Sequence, residues 1–395
     1  MSILSGSKKE EIKLNNKLKE IFCIIIMQVA KRLPLKNIIV FESNPDFSDN
    51  TFEVYQKLVE LNYNKKYKIY WMLNGTDSHD LPENVFEIKS IKGGFIDKVK
   101  FTLVVSRAKF IIDCNTYIHK HRKDQVRIHL KHGLPMKDAS KYTHDIGAVD
   151  IVSVPSEKWI DICANEHGVP LEVVKPLGFP RNDVLITKPH NQKTIIWMPT
   201  YRFRTAQVDT NQDINNSLPY GLPCINSKDD LKKLNDYLVE KESILYIRFH
   251  PVQDIRNIKF EELSNIILCD DNYLKKNGFK LYEFLCGTDA LITDYSSIYY
   301  DYQRLNKPIA IAVVDFDDYA NRNGLLVDSL EKFKETYPAT FIENFEDLLD
   351  FVSAVKSDDE KILESLKQAH EMYDMGSVKN SAEIIINYLR ENYNL

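Results

Sequence analysis

The sequence predicts an α/β protein made of two similar halves, and three observations carry that expectation. Short apolar runs alternate with helical stretches from Asn37 onward. A polar stretch from Thr187 to Lys193 interrupts the series, which then begins again. The polar motifs fall just past the carboxyl ends of the predicted strands, where open α/β sheets bind ligands. At roughly 150 residues per domain, the 395 residues suffice for two domains, and a 44% hydrophobic content fills two ordinary cores.

The first predicted element is a basic, partly amphipathic helix over 12–33. In it Lys13, Lys17, Lys19, Lys31 and Arg32 surround the apolar run from Ile21 to Met27. That run falls short of the ~20 apolar residues a spanning helix needs, and no small-residue cleavage site follows it. The pattern fits a helix packed on the body of the protein or one resting on an anionic membrane surface. Strands follow at 38–41, 69–73, 85–88, 110–112, 126–130, 151–154 and 173–174, with a helix over 51–62. The second series has strands at 194–197, 244–247, 266–268, 290–292 and 308–311. Helices are then expected at 341–356, 359–373 and 380–392. The domain boundaries read as 1–34 for the first helix, 35–186 and 187–372 for the two halves, and 373–395 for a last helix.

Several function classes are excluded. The 52 basic and 57 acidic residues leave a net charge of −5, without the basic excess of a nucleic-acid binder. The six cysteines form no CxxC pair, which argues against a zinc ribbon or disulfide framework and for a reducing cytosol. No GxxxxGK[ST] loop, strand-borne GxGxxG, GxSxG elbow or HExxH is present. Asp315-Phe316-Asp317-Asp318 is more readily a turn than a metal site, so neither a metal nor a cofactor is expected.

Four motifs end predicted strands. Thr293-Asp294-Tyr295-Ser296-Ser297 closes an apolar strand and opens a helix, and serines there either cap the helix or help hold an anion. Arg248 and His250 sit two apart at a strand end, so strand alternation would aim both at one spot. His132-Gly133-Leu134-Pro135-Met136-Lys137 places a histidine in a tight turn, where an imidazole titrating near neutral pH suits a general base; His129 is its local competitor. Pro199-Thr200-Tyr201-Arg202-Phe203-Arg204 and Gly178-Phe179-Pro180-Arg181-Asn182-Asp183 add basic positions. Only 12 of the 52 basic residues are arginine, and four of them, Arg181, Arg202, Arg204 and Arg248, fall in these motifs. That concentration favours placed phosphate contacts over generic surface charge.

Taken together, these motifs resemble the CDP-glycerol glycerophosphotransferase family, the bacterial teichoic-acid primases and polymerases. The likeness runs from Phe41-Glu42-Ser43 with Ser48-Asp49-Asn50, through the His-Gly, Pro-Arg-Asn-Asp, Pro-Thr-Tyr-Arg, His-Pro and Thr-Asp-Tyr-Ser-Ser motifs with Asp301, to Lys307-Pro308. The family usually has Trp and Thr around the His-Gly pair, where this chain has Lys131 and Leu134. The resemblance implies a metal-independent GT-B-like fold, two Rossmann-like domains facing a central cleft, without cofactor. It implies transfer of glycerol or ribitol phosphate from a CDP-alditol to a hydroxyl of a lipid-linked saccharide or growing polyol-phosphate acceptor. CMP would be released, in teichoic-acid or capsular polymer synthesis. His132 is then the base and His250 the donor-phosphate histidine. Arg248, Thr293, Asp294, Ser296, Ser297, Pro199, Thr200 and Arg202 fall on the donor side. Gly133, Lys137, Arg181, Asn182 and Asp183 fall on the cleft or acceptor side. The expected location is peripheral, on the cytoplasmic face of the cell membrane, with the anionic membrane surface and a second copy of the chain as further candidate partners. The rival readings are a GT-B glycosyltransferase using a nucleotide sugar and a non-catalytic membrane-surface scaffold.

Overall fold

The computed structural model describes residues 19–75, 79–89, 93–115, 118–137, 146–188, 192–202, 218–250, 253, 255 and 258–395. Residues 12–18 of the first predicted helix, with Arg204 and Pro251, lie outside these. The chain divides into two compact units. Unit 1 comprises residues 1–132, 144–181 and 378–395, and unit 2 comprises 133–143 and 182–377.

Unit 1 begins with helix α1 (19–30) and continues through β1 (Lys36–Glu42), α2 (Asp49–Glu60), β2 (Lys68–Leu73) and β3 (Val85–Lys89). Then come α3 (Phe95–Arg107), β4 (Ala108–Asp113), β5 (Val126–His129), β6 (Ile151–Ser153), α4 (Ile160–His167) and β7 (Val174–Lys175). The strands form one parallel sheet in the order β3-β2-β1-β4-β5-β6-β7. Alternation along the strands splits their side chains between two layers. Ile39 and Phe41, Ile69 and Trp71, and Phe110 and Ile112 pack with Val54 and Leu58 of α2. Ile38, Val40, Met72 and Ile111 pack on the other face with Phe101 and Val105 of α3. Burial on both faces explains why these strands read as continuous apolar runs.

Unit 2 repeats the plan with β8 (Lys193–Met198), α5 (Lys228–Glu240), β9 (Ser243–Ile247), β10 (Ile266–Leu268), α6 (Asp271–Lys276), α7 (Leu281–Leu285), β11 (Ala290–Thr293) and α8 (Ile298–Tyr302). It ends with β12 (Ile309–Ala312), α9 (Phe316–Asn323), α10 (Leu330–Thr336), β13 (Thr340–Ile342), α11 (Phe345–Lys356) and α12 (Glu364–Tyr373). Its parallel order, β10-β9-β8-β11-β12-β13, is that of unit 1 without the last strand. Ile195, Trp197, Leu245 and Ile292 pack with Leu234 and Leu238 of α5 and with Phe351 and Val352 of α11. The strand order reverses between β1 and β4 in unit 1 and between β8 and β11 in unit 2, and ligand crevices open at such switch points.

Three expectations need correction. Residues 341–342, read as the start of a helix, belong to edge strand β13 (Thr340–Ile342), and Asn344 caps the true helix by accepting from the Asp347 amide. The expected linker at 187–193 does not mark the boundary: the Thr187 hydroxyl donates to Leu305 O and the Lys188 amide to Cys286 O, so both belong to unit 2. The last helix is no separate segment. α13 (Ser381–Tyr393) places Ile385, Ile386 and Leu389 in the unit 1 core against α2. Leu389 is fully buried there, so Leu389→Ala should cost about 2–5 kcal/mol. Urea unfolding measures this, and an unchanged midpoint would contradict the packing.

Candidate active site

In unit 1 the chemistry gathers at the turn that follows β5. Asn50, wholly buried at the start of α2, donates from Nδ2 to Leu130 O at 3.2 Å and Lys131 O at 2.7 Å. Its Oδ1 accepts from the Arg181 amide at 3.0 Å. Arg181 in turn donates from Nη1 to the Asp49 carboxylate at 2.7 Å and to the His132 carbonyl. Two residues outside the turn thus hold three successive carbonyls, those of residues 130–132. Lys131 needs such support, because its φ of +47° is left-handed and costly for a residue with a Cβ. Its ammonium runs inward instead, donating to Glu166 Oε2 at 2.6 Å and His167 Nε2 at 2.8 Å.

His132, the next residue after this support, is exposed to solvent as a whole residue. The protein mass around the imidazole lowers its pKa from the ordinary 6.5; Asp49 opposes that shift, while Arg181 and Lys131 add to it. His129, the competitor, is sealed at 2% exposure. Its Nδ1 lies 2.7 Å from Asp113 Oδ1, and Asp113 also accepts from Arg127 Nε at 2.8 Å. Burial lowers the His129 pKa as well, with Asp113 opposing it. A wholly enclosed imidazole bonded to a carboxylate cannot meet a substrate hydroxyl, so of the two histidines only His132 is accessible.

In unit 2 the motifs converge at the switch point. Asp294, wholly buried after β11, accepts from the Thr200 amide at 2.9 Å and 3.0 Å through its two oxygens. It also pairs with Arg202 Nη1 at 2.9 Å. Arg202 Nε pairs with Asp315 at 2.7 Å, and the two carboxylates raise the guanidinium's pKa against burial. Asp315, considered as a turn or metal residue, is thus an arginine partner, and no group of metal-binding side chains occurs among the described residues. The Thr293 hydroxyl donates to Met198 O at 2.9 Å, so it ties the strands together and is withdrawn from any phosphate role.

Arg248 and His250 do not converge as strand alternation suggested. β9 ends at Ile247, and Arg248 donates to Cys269 O at 3.0 Å and Asp271 Oδ1 at 2.6 Å. His250 is exposed and lies against the Tyr201 ring, with centroids 5.2 Å apart. Ser296 and Ser297 are half-buried before α8, and Ser297 caps nothing with its side chain. Gly133 abuts Ser297 so closely that a Cβ would come within 2.8 Å of its Oγ. Asn182 Nδ2 donates to Asp301 Oδ1 at 2.8 Å, and Asp183 lies 3.9 Å from Arg304. Pro199 is buried beside Thr200. A cavity of about 370 Å³ lined by Lys188, Thr194, Tyr246, Phe279 and Phe284 includes none of these motif residues.

Sequence reasoning missed the roles of Asn50, Asp49 and Asp315. Asn50 and Asp49 lay within a quoted motif, but nothing in a sequence shows which distant carbonyls an amide will reach. Asn50→Ala leaves two buried carbonyls and the Arg181 amide short of partners, at a cost of about 1–3 kcal/mol. Urea unfolding checks this; a loss below about 0.5 kcal/mol would argue against the clamp.

The sequence profile of the CDP-glycerol:poly(glycerophosphate) glycerophosphotransferases matches residues 25–391. The teichoic acid ribitol-phosphate polymerase TarL of Staphylococcus aureus is 23% identical over 88% of this chain, which spans 62% of that protein's length. A teichoic acid glycerol-phosphate transferase of the same organism is 23% identical, over 83% of this chain and 86% of its own. A variant of the wall teichoic acid polymerase TagF soaked with CDPG superimposes with a TM-score of 0.72, 18% identity, and coverage of 96% of this chain and 98% of the other. That likeness establishes the GT-B-like fold of two Rossmann-like domains.

Proposed function

We propose, on the premise that the chain belongs to the CDP-glycerol:poly(glycerophosphate) glycerophosphotransferase family, that it transfers glycerol or ribitol phosphate from a CDP-alditol to an acceptor hydroxyl. The observation that carries this reading is the family match itself, which runs through the motifs of both units. The acceptor oxygen attacks the β-phosphorus and its bond to the bridging oxygen breaks, giving a phosphodiester and CMP. His132 receives the hydroxyl proton. The hydroxyls of Ser296 and Ser297 and the His250 ring face the donor phosphates, while Arg202 and Asp294 hold the Thr200 loop in place. Such a reaction depends on positioning and on stabilising charge as it develops. The test is incubation with CDP-glycerol or CDP-ribitol plus membranes carrying acceptor. CMP release supports the reading, and release of a nucleoside diphosphate from a nucleotide sugar would favour a glycosyltransferase instead.

His132→Ala should lower turnover by about 10²–10⁴-fold, the usual worth of a positioned base. CDP-alditol affinity should hold, because the proposed donor ligands lie in unit 2 and His132 in unit 1. A lowered pKa keeps the imidazole neutral, and able to accept a proton, at pH values below 6.5. The acid limb of kcat/KM in the intact protein should therefore lie below that value and vanish in the variant. Near-normal turnover of the variant would remove His132 as base.

The acceptor is proposed to be lipid-linked, with the protein peripheral on the cytoplasmic face of the membrane. The support is α1, which exposes Ile21, Phe22, Ile24, Ile25 and Val29. Phe22 meets Phe95 at 5.6 Å, next to the exposed Ile96 and Leu103 of α3. Lys19, Lys31 and Arg32 flank the apolar face, the pattern of a helix lying in an anionic interface. No helix among the described residues is long and apolar enough to cross a membrane. The double substitution Ile24→Glu with Ile25→Glu should abolish co-sedimentation with anionic liposomes and leave the fold intact. Undiminished sedimentation would exclude α1 as the contact.

A further inference from the structure

Lys137 was expected on the acceptor side, yet its surroundings are those of the donor motifs. The turn that carries His132 in unit 1 continues into unit 2 from Gly133 onward. There Tyr300 donates its hydroxyl to Pro135 O at 3.0 Å, and the Leu326 amide donates to Met136 O at 3.2 Å. With Gly133 pressed on Ser297, the segment is fixed at three points before it reaches Lys137. The Lys137 ammonium then lies over two aromatic faces, 6.0 Å from the Tyr201 centroid and 5.5 Å from that of Tyr319. Both distances are within reach of a cation–π attraction.

The cation has no hydrogen bond or ion pair among the described residues, and the described arginines of these motifs differ in this respect. Arg202 is shared by Asp294 and Asp315, and Arg248 is committed to Asp271 and Cys269 O. Two carboxylates against one guanidinium leave the Arg202 cluster with a formal charge of −1, which would repel a diphosphate. Lys137 brings to it an ammonium whose donors are unspent among the described residues. Burial lowers its pKa and Asp294 opposes that shift, as befits a half-desolvated cation near the cluster. The Ser296 and Ser297 hydroxyls, which follow Asp294 in the chain, also make no hydrogen bond to a described residue. One ammonium and two hydroxyls form a donor set suited to phosphate oxygens.

We propose that Lys137 is a ligand of the donor's diphosphate, presented by the Tyr201 and Tyr319 rings to the same group that Ser296 and Ser297 bind. This rests on the CDP-alditol reading above and assigns it the positive charge that Arg248 and Arg202 do not supply. The charge counters the negative charge that gathers on CMP as the bridging bond breaks. The tyrosine faces hold the ammonium without accepting a conventional hydrogen bond, so it is oriented with its donors still available.

Calorimetric titration of the full chain with CDP-glycerol, CDP-ribitol and cytidine tests it. Lys137→Gln should weaken the CDP-alditols about 10–100-fold, the range of a charge-assisted hydrogen bond, and leave cytidine unchanged. Lys137→Arg, which keeps the cation and its ring contacts, should recover most of the affinity and guards against a Gln variant that does not fold. The intact protein's CDP-alditol affinity should fall with added salt, and that of the Gln variant less steeply. Unchanged CDP-alditol affinity in the Gln variant overturns the proposal, as does an equal loss of cytidine, which would mark a collapsed site. A raised acceptor KM with normal donor affinity overturns it in favour of the acceptor side. If the intact protein binds neither CDP-alditol and releases no CMP, the functional reading itself fails, which separates the two failures.

Discussion

A parallel sheet whose strand order reverses must part the two chains that leave its central strands, and the amides just beyond those strands lose their ladder partners. Both units meet this constraint with one buried carboxylate. In unit 1 Glu42, the last residue of β1, accepts from the Cys114 and Asn115 amides beyond β4, at 3.3 Å and 3.0 Å. In unit 2 Asp294, just past β11, accepts from the Thr200 amide beyond β8. Each carboxylate crosses the switch point from one central strand to the loop of the other. An unpaired buried amide is costly, so these bonds fix the loops that leave β4 and β8. The acceptor differs in strand of origin, yet the geometry solved is the same.

Buried charges must be matched, and the two units match theirs differently. Unit 1 uses a string of side chains, with Arg127 and His129 on Asp113, then Lys131 on Glu166 and His167. Asp113, Arg127, His129 and Lys131 are buried and Glu166 and His167 partly so, whereas His132 is exposed. Unit 2 concentrates the matching on Arg202, whose fork suits two carboxylates and whose guanidinium also lies over Tyr295 and Tyr319. Breaking either arrangement by removing one partner would strand an opposite charge, which is worse than never having buried the pair.

Much of the fold was legible in the sequence because fully buried parallel strands are apolar throughout and their carboxyl ends are marked by polar motifs. Strands β1 to β12 fall close to where those runs predicted them. Strand β13 escaped because Thr340-Phe341-Ile342 lies two residues from a helix, and three edge residues carry no period of their own. The assignment of α13 was equally hidden: Ile385, Ile386 and Leu389 announce an amphipathic helix but not which of two cores will receive them. The place of residues 133–137 in unit 2 was hidden for the same reason, since their anchors Tyr300 and Leu326 are far along the chain.

The candidate site shows a sharper limit, and it concerns what charge is for. The scarcity of arginine and its concentration in the motifs suggested phosphate contacts, on the sound argument that a planar fork suits phosphate. The same fork suits a carboxylate equally well. Arg181 meets Asp49, Arg202 meets Asp294 and Asp315, and Arg248 meets Asp271. Once an arginine has paired with a carboxylate, less of its field reaches a ligand. The cations available to an anionic substrate are then those without a carboxylate in reach, whatever their rarity in the composition. Counting residue types finds the neighbourhood of a site, whereas pairing each charge with its nearest opposite finds the charge left over for the substrate.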